Sequence, residues 1–406
     1  MKQAPICLTT CIWCLFQCLY VFSQDSLRQI RPFGTNPGNL KLMLYEPGTI
    51  RQKAPLVVVL HGCTQTAASC AEQTGWNKLA RQNGFFVLYP EQLILNNAEN
   101  CFNWYRSADQ SAAKGEPASI MQMIDYLKRN KPVDSTRIYI IGLSAGGAMS
   151  SIMLSVFPAV FDKGGVIAGG PYKSAESVVK AGPAMLGMVS HSPEDWGDLV
   201  REQNPDYAGN YPEMVVFHGG ADPVVSSNNA NQLIKQWVNV HGTDYEPDRY
   251  EARFRGNEDV ERTVYQDKTG RDVLTYYRIK GLGHAVALDT GRCANQGGKT
   301  GLFATDKDFH STWWAAHFFG VLKTSYTIEG DTLVKPQQAG LLYSVPFHEG
   351  SRYRWKTPAG MWITEGENSH RISLTPDYTS GFLELIETTT EGCIYEAPAL
   401  WIRVKE

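Results

Sequence analysis

The chain reads as an α/β protein in two parts, a doubly wound, mostly parallel sheet followed by a small all-β sandwich. Up to about residue 320, apolar runs are continuous and separated by helical patterns, as expected of strands buried on both faces of a parallel sheet. Beyond that point the texture changes to short alternating strands split by Gly, Pro and Asn turns. A length of 406 residues, 43% hydrophobic and 19% charged, suits one large domain with a smaller one attached. The formal net charge of -3 offers no electrostatic attraction to nucleic acid or to an anionic membrane.

In chain order, the first segment is a leader. Lys2 precedes an apolar run from Ile6 to Phe22, with Val21 and Ser23 at the small-residue positions before a cut, so residues 1–23 read as a secretory signal peptide. The run is short and no basic cluster follows it, which argues against a retained membrane anchor. Cys7, Cys11, Cys14 and Cys18 leave with the leader, and Cys63, Cys70, Cys101, Cys293 and Cys393 remain. In an oxidising compartment that odd count leaves at least one thiol free or paired between chains. No second C-x-x-C or H-x-x-x-H accompanies these cysteines, so neither zinc nor any other metal or cofactor is expected.

The catalytic-sized part, 24–320, then alternates strand and helix. The strands are "APLVVVLHG", "FFVLYP", "RIYIIG", "GGVIAGG", "EMVVFHGG" and "VLTYYRIKG". Helical patterns cover Ala71 to Asn83, Pro117 to Arg129, the stretch after Ser144, Asn229 to Val240 and Ser311 to Phe319. From 325 to 406, "SYTIEGDTLVKP", "GLLYSVP", "RYRWKTPAG", "MWITEG", "HRISLTP", "GFLELIETTT" and "LWIRVKE" are sandwich-like strands. That segment shows no serine, histidine and carboxylate arrangement suited to chemistry, and it reads as an accessory module.

The chemistry centres on "GLSAGG", residues 142 to 147, which satisfies G-x-S-x-G with an apolar strand before it and a helix after it. Gly142 and Gly146 stand where neighbouring backbones approach too closely for a Cβ. A serine hydroxyl needs a base, and the base an orienting acid. In an α/β-hydrolase the order along the chain is Ser, acid, His, and Asp222 and His284 follow later apolar strands in that order. The expected roles are Ser144 as nucleophile, His284 as proton shuttle and Asp222 as the group that fixes the imidazole. The backbone amides of Cys63, or alternatively Thr64, and of Ala145 are expected to face the developing oxyanion. His218 and His61 read as strand-end residues, and Asp289, which follows the histidine, as a runner-up acid. "GGKTG" at 297 to 301 lacks the first Gly and the preceding strand of a phosphate loop.

Taken together, "LHGCTQTAASCAEQTGWNKLARQNGFFVLYPEQ", "CFNWYRSADQ", "GEPASI", "GLSAGGAM", "HGGADPVV" and "GLGHAVALD" resemble the polyhydroxybutyrate depolymerase-like esterases. This is an α/β-hydrolase family related to feruloyl and acetylxylan esterases, and the resemblance runs from Leu40 to Gly320. It implies the same triad positions and a disulfide between Cys63 and Cys101, which would tie the oxyanion loop to a substrate-lining loop. Phe102 and Val286 depart from the family's frequent Trp. Trp104, Tyr105 and Tyr172 are either pocket-lining or core aromatics. The C-terminal segment resembles PKD-like or Ig-like modules, and Tyr353, Trp355 and Trp362 in it are read as sandwich core rather than a polymer-binding face.

The expected activity is that of a secreted (extracellular or periplasmic) serine esterase acting on a polyester or oligoester. Alternatives are a feruloyl or acetylxylan esterase, and a degenerate hydrolase serving binding or adhesion. The expected partner is an ester substrate, with no nucleic acid and, after signal cleavage, no membrane.

Overall fold

The computed structural model describes residues 26–48, 50, 53–323 and 327–405, so the expected signal peptide lies outside the described residues. The chain divides into two units. One runs through Thr290 and resumes at Gln296–Val321; the other comprises Gly291–Asn295 and Leu322–Glu406.

The first unit is built on a ten-stranded sheet, with a small two-stranded sheet, Val286–Leu288 and Ala304–Asp306, beside it; the ten are β1 (Arg28–Ile30), β2 (Lys41–Tyr45), β3 (Ala54–Leu60), β4 (Phe86–Glu91), β5 (Val133–Leu143), β6 (Lys163–Ile167), β7 (Glu213–Gly219), β8 (Arg249–Glu251), β9 (Val260–Gln266) and β10 (Asp272–Ile279). Their order across the sheet is β1-β2-β4-β3-β5-β6-β7-β10-β9-β8. The six from β4 to β10 are mutually parallel. Two antiparallel pairs flank them. Sequence reading finds the six parallel strands and misses the four edge strands, whose short, partly exposed segments lack a continuous apolar run.

Eight helices accompany these strands: α1 (Ala67–Thr74), α2 (Trp76–Asn83), α3 (Gly115–Asn130), α4 (Ala145–Val156), α5 (Val178–Met185), α6 (Pro193–Arg201), α7 (Asn228–Val240) and α8 (Ser311–Phe318). The central strands are apolar throughout because both faces are covered. In β5, Ile138 and Ile140 enter a cluster with Met123 of α3 and Met149 and Met153 of α4. Tyr139, between them, points the other way and stacks on Phe319, which in turn stacks on Trp76 of α2.

The single helix expected over Ala71 to Asn83 is two. Gly75 adopts a left-handed conformation, φ 77°, ending α1 and starting α2. Thr66 begins α1 as the N-cap of a capping box with Ser69. The turn is held tight because a Cβ on Gly75 would stand 2.7 Å from the Gly298 nitrogen.

The second unit has a four-stranded sheet and a three-stranded sheet. Tyr353 and Trp355 belong to its core with Leu341, Tyr343, Leu374 and Leu383, while Trp362 is half exposed. The segment Gly291–Asn295, which sequence reading leaves inside the larger domain, belongs to this unit, and its Cys293 is disulfide-bonded to Cys393. Among the described residues Cys70 is the free thiol, buried in α1, and burial pushes its pKa up to about 12. Among the described residues, no helix is long and apolar enough to cross a membrane.

Candidate active site

The chain switches direction across the sheet at β3, going first to β4 on one side and then to β5 on the other. In open α/β sheets such a switch opens a crevice at the carboxyl ends of the strands. Two of the candidate groups lie there: the loop after β3 with Cys63, and Ser144 directly after β5. Asp222 follows β7 and His284 follows β10, strands parallel to β5, so all these groups leave the same edge of the sheet.

Ser144 forms a sharp strand-to-helix elbow with φ 56° and ψ -119°, a conformation an L residue adopts only under constraint. Its amide donates to the Ile167 carbonyl at 2.9 Å. The glycines around it allow the fit. A Cβ on Gly142 would stand 2.3 Å from the Gly146 carbonyl, and one on Gly146 would stand 2.4 Å from the Leu60 oxygen. The strand end, the elbow and the start of α4 are therefore packed backbone against backbone.

His284 and Asp222 are paired, with the imidazole Nδ1 2.8 Å from the carboxylate Oδ2. The other oxygen, Oδ1, accepts from the amides of Val224 and Val225, each at 2.9 Å. Burial opposes ionisation of Asp222, but the His284 hydrogen bond and these two amides outweigh it and hold its pKa below the ordinary carboxylate value. His218 lies beneath, its Nε2 2.9 Å from the Val225 carbonyl and 3.6 Å from Asp222, and burial lowers its pKa. Asp289 instead accepts from the Gln296 side chain.

The loop after β3 is pinned at almost every amide. Gly62 N–H donates to Gln65 Oε1 at 2.8 Å and Thr64 N–H to the Glu99 carbonyl at 2.6 Å, so Thr64 is committed elsewhere. No acceptor among the described residues meets the Cys63 amide. The sulfur of Cys63 is bonded to Cys101. His61 is wholly buried and, with its pKa lowered chiefly by burial, neutral. Its Nδ1 donates to the Gly62 carbonyl at 2.7 Å, and its Nε2 accepts from the Gln92 amide at 3.0 Å.

Behind this loop lies a buried carboxylate that sequence reading passes over. Glu116 accepts from Gln92 Nε2 at 2.5 Å, from Asn103 Nδ2 at 2.6 Å and from the Asn103 amide at 2.8 Å. It thus joins the residue that holds His61 to the segment carrying Cys101 and Trp104. Burial, reinforced by nearby Asp109, raises its pKa from 4.5 to about 8 against those three bonds. A carboxyl whose folded pKa is raised contributes stability that is full below the unfolded value and is lost as pH rises through the folded one. The melting temperature of the wild type should therefore fall between pH 4.5 and 8 relative to Glu116→Gln, whose profile lacks this titration. Parallel profiles in calorimetry would refute the assignment.

A cleft of about 40 Å³ opens beside Ser144, walled by Cys63, Trp104, Ala145, Ala148, Met185 and Val225, with Gly169, Gly170, Ser174, Ala184 and Asn229 completing it. Trp104 is thus at the site. Tyr105 is not among the lining groups; it meets Trp104 edge-on and accepts a hydrogen bond from Asn97. Tyr172 is fully buried in the core, its hydroxyl donating to the Gln110 carbonyl. Most walls escape sequence reading because Ala, Gly, Val and Met carry no chemical signature. The "GG" after β6 is the one hint of a close backbone approach.

Residues 40–260 match the family described as esterase PHB depolymerase, and residues 321–398 match a PKD-like domain. A poly(3-hydroxyalkanoate) depolymerase C of Paucimonas lemoignei is 40% identical over 73% of this chain and 70% of its own. A feruloyl esterase B of Neurospora crassa is 33% identical over 54% of this chain and 76% of its own. Among solved structures, an acetyl xylan esterase from Aspergillus awamori superimposes with a TM-score of 0.59 at 27% identity, covering 64% of this chain and 94% of that one. With its parallel sheet and elbow, the chain belongs to the esterase PHB depolymerase family of α/β-hydrolases and is a serine-type carboxylic ester hydrolase with a PKD-like C-terminal domain.

Proposed function

We propose that the protein is a secreted depolymerase of an aliphatic polyester, working through Ser144, His284 and Asp222. The observation that carries this reading is the part-buried His284–Asp222 pair on the same sheet edge as a strained Ser144 elbow. In the proposed cycle, Ser144 Oγ attacks the ester carbonyl while His284 Nε2 takes its proton, and Asp222 stabilises the resulting imidazolium. The tetrahedral oxyanion is met by the Cys63 and Ala145 amides, the second at the N-terminus of α4. Collapse expels the alcohol, protonated by His284, and leaves an acyl-Ser144. Water, deprotonated by the same histidine, then releases the acid and restores the serine.

The walls of the cleft are chiefly alkyl. Ala145, Ala148, Ala184, Met185 and Val225 line it, which suits an aliphatic acyl chain. The depolymerase relative supports the polyester among short-chain esters. A second reading, deacetylation of xylan, draws on the solved acetyl xylan esterase. Secretion is supported by the leader read in the sequence and by two disulfides.

A substrate panel separates these readings. Purified protein offered poly(3-hydroxybutyrate), acetylated xylan and methyl ferulate should release soluble hydroxyacid from the first at the highest rate. Faster acetate release from xylan would transfer the assignment to the second reading.

A further inference from the structure

The cleft has one wall whose other side is unusual. α5 turns Ala181 and Ala184 inward, and Ala184 and Met185 line the cleft with Ser144. Its outward stripe, at helical spacing, is Val179, Pro183 and Leu186, with Val178 beside it and Met188 just beyond the helix. Val178, Val179, Leu186 and Met188 are between 57% and 84% exposed. From Ser177 to Ser190 the only charged side chain is Lys180. A solvent-facing helix surface is normally polar, and a contiguous apolar one marks an interaction surface.

This surface is firmly held. The Met185 carbonyl accepts from the Ser226 amide at 2.8 Å and from Asn229 Nδ2 at 3.0 Å, and Asn228 Nδ2 donates to the Gly187 carbonyl at 2.8 Å. Upstream of the helix, Ser107 Oγ donates to the Glu176 carbonyl at 3.2 Å. Val224, 46% exposed, lies on the loop that carries Asp222, next to Val225, which lines the cleft with Met185.

We infer that the outward face of α5 with Leu186 and Met188 is a docking surface for the alkyl face of a water-insoluble aliphatic polyester. The inference rests on the polyester reading above. Because α5 presents one side to the cleft and the other to solvent, a chain whose ester reaches Ser144 continues over this lip. An uncharged polymer bearing alkyl side groups matches a lip that carries alkyl side chains and almost no charge. A soluble ester that fills only the cleft has no need of it.

The test compares wild type with Val179→Ser/Leu186→Ser/Met188→Ser, and with the conservative Val179→Ile/Leu186→Met/Met188→Leu, on poly(3-hydroxybutyrate) granules and on a soluble p-nitrophenyl ester. The serine variant should lose about tenfold or more in granule adsorption and erosion. Its soluble-ester kcat/KM should stay within about twofold of wild type, and the conservative variant should behave as wild type on both. Should the serine variant misfold, Leu186→Lys alone serves in its place with the same expectation. Undiminished granule erosion by an active serine variant overturns the inference alone. So does light scattering that finds a wild-type dimer which the variant abolishes, since the face would then cover a second copy. A wild-type protein that hydrolyses the soluble ester and neither adsorbs to nor erodes granules overturns the polyester reading, and the docking surface with it.

Discussion

Ser144→Ala should abolish ester turnover, with a fall in kcat of about 10⁶-fold. The reason lies in how narrowly the hydroxyl is used. In the proposed cycle it supplies the attacking oxygen, and of the two serines lining the cleft it is Ser144 that sits on the strand-to-helix elbow. Alanine keeps the Cβ, so the elbow at φ 56° and the amide bond to Ile167 remain compatible with the fold. The variant should melt like wild type and still bind product acids. Residual hydrolysis within about a hundredfold of wild type would sink Ser144 as nucleophile, because the amides and the histidine alone leave only a small remnant of catalysis.

Gly146→Ala should be nearly as damaging, for a steric reason. The new methyl would sit 2.4 Å from the Leu60 oxygen and 2.5 Å from the His61 oxygen. Both are backbone atoms at the end of β3, with no flexible side chain to swing away. Either α4 moves off the sheet or the end of β3 shifts, and the second carries Gly62 and Cys63 with it. A displacement near 1 Å at reacting groups costs about 10²-fold in rate, and overpacking a close contact costs about 1–3 kcal/mol in stability. Both losses should appear together in kinetics and chemical denaturation. Gly182→Ala supplies the contrast, since no atom lies within 4 Å of a Cβ there and α5 gains helix propensity. That variant should be neutral or stabilised by about 0.5–1 kcal/mol. Equal behaviour of the two substitutions would refute the steric account.

The parts legible in the sequence are those where chemistry and punctuation coincide. Ser144, Asp222 and His284 each follow an apolar strand and are each of a type that acid–base chemistry demands; of the three, the structure pairs His284 with Asp222. The Cys63–Cys101 bond came through family resemblance, and the structure contains it. The second bond was illegible because Cys293 sits in a five-residue excursion that no periodicity marks. Helices α5 and α6, between β6 and β7, were also missed. Pro183 and Gly182 blur the first, and its outward valines invert the usual polar pattern. Tyr172 was ambiguous for a general reason, since a large aromatic near a strand end has the same sequence signature in a core as in a pocket. Glu116 was legible only as part of "GEPASI"; nothing local announces that a carboxylate there will be buried with three donors.

The bond between Cys293 and Cys393 spans 100 residues of chain. A protease that nicks the backbone anywhere between those two cysteines therefore produces two fragments that travel as one covalent species. Shedding the C-terminal module takes two separate insults, a peptide cleavage and a reduction. In an oxidising environment rich in proteases, the first alone leaves the enzyme and its module tethered.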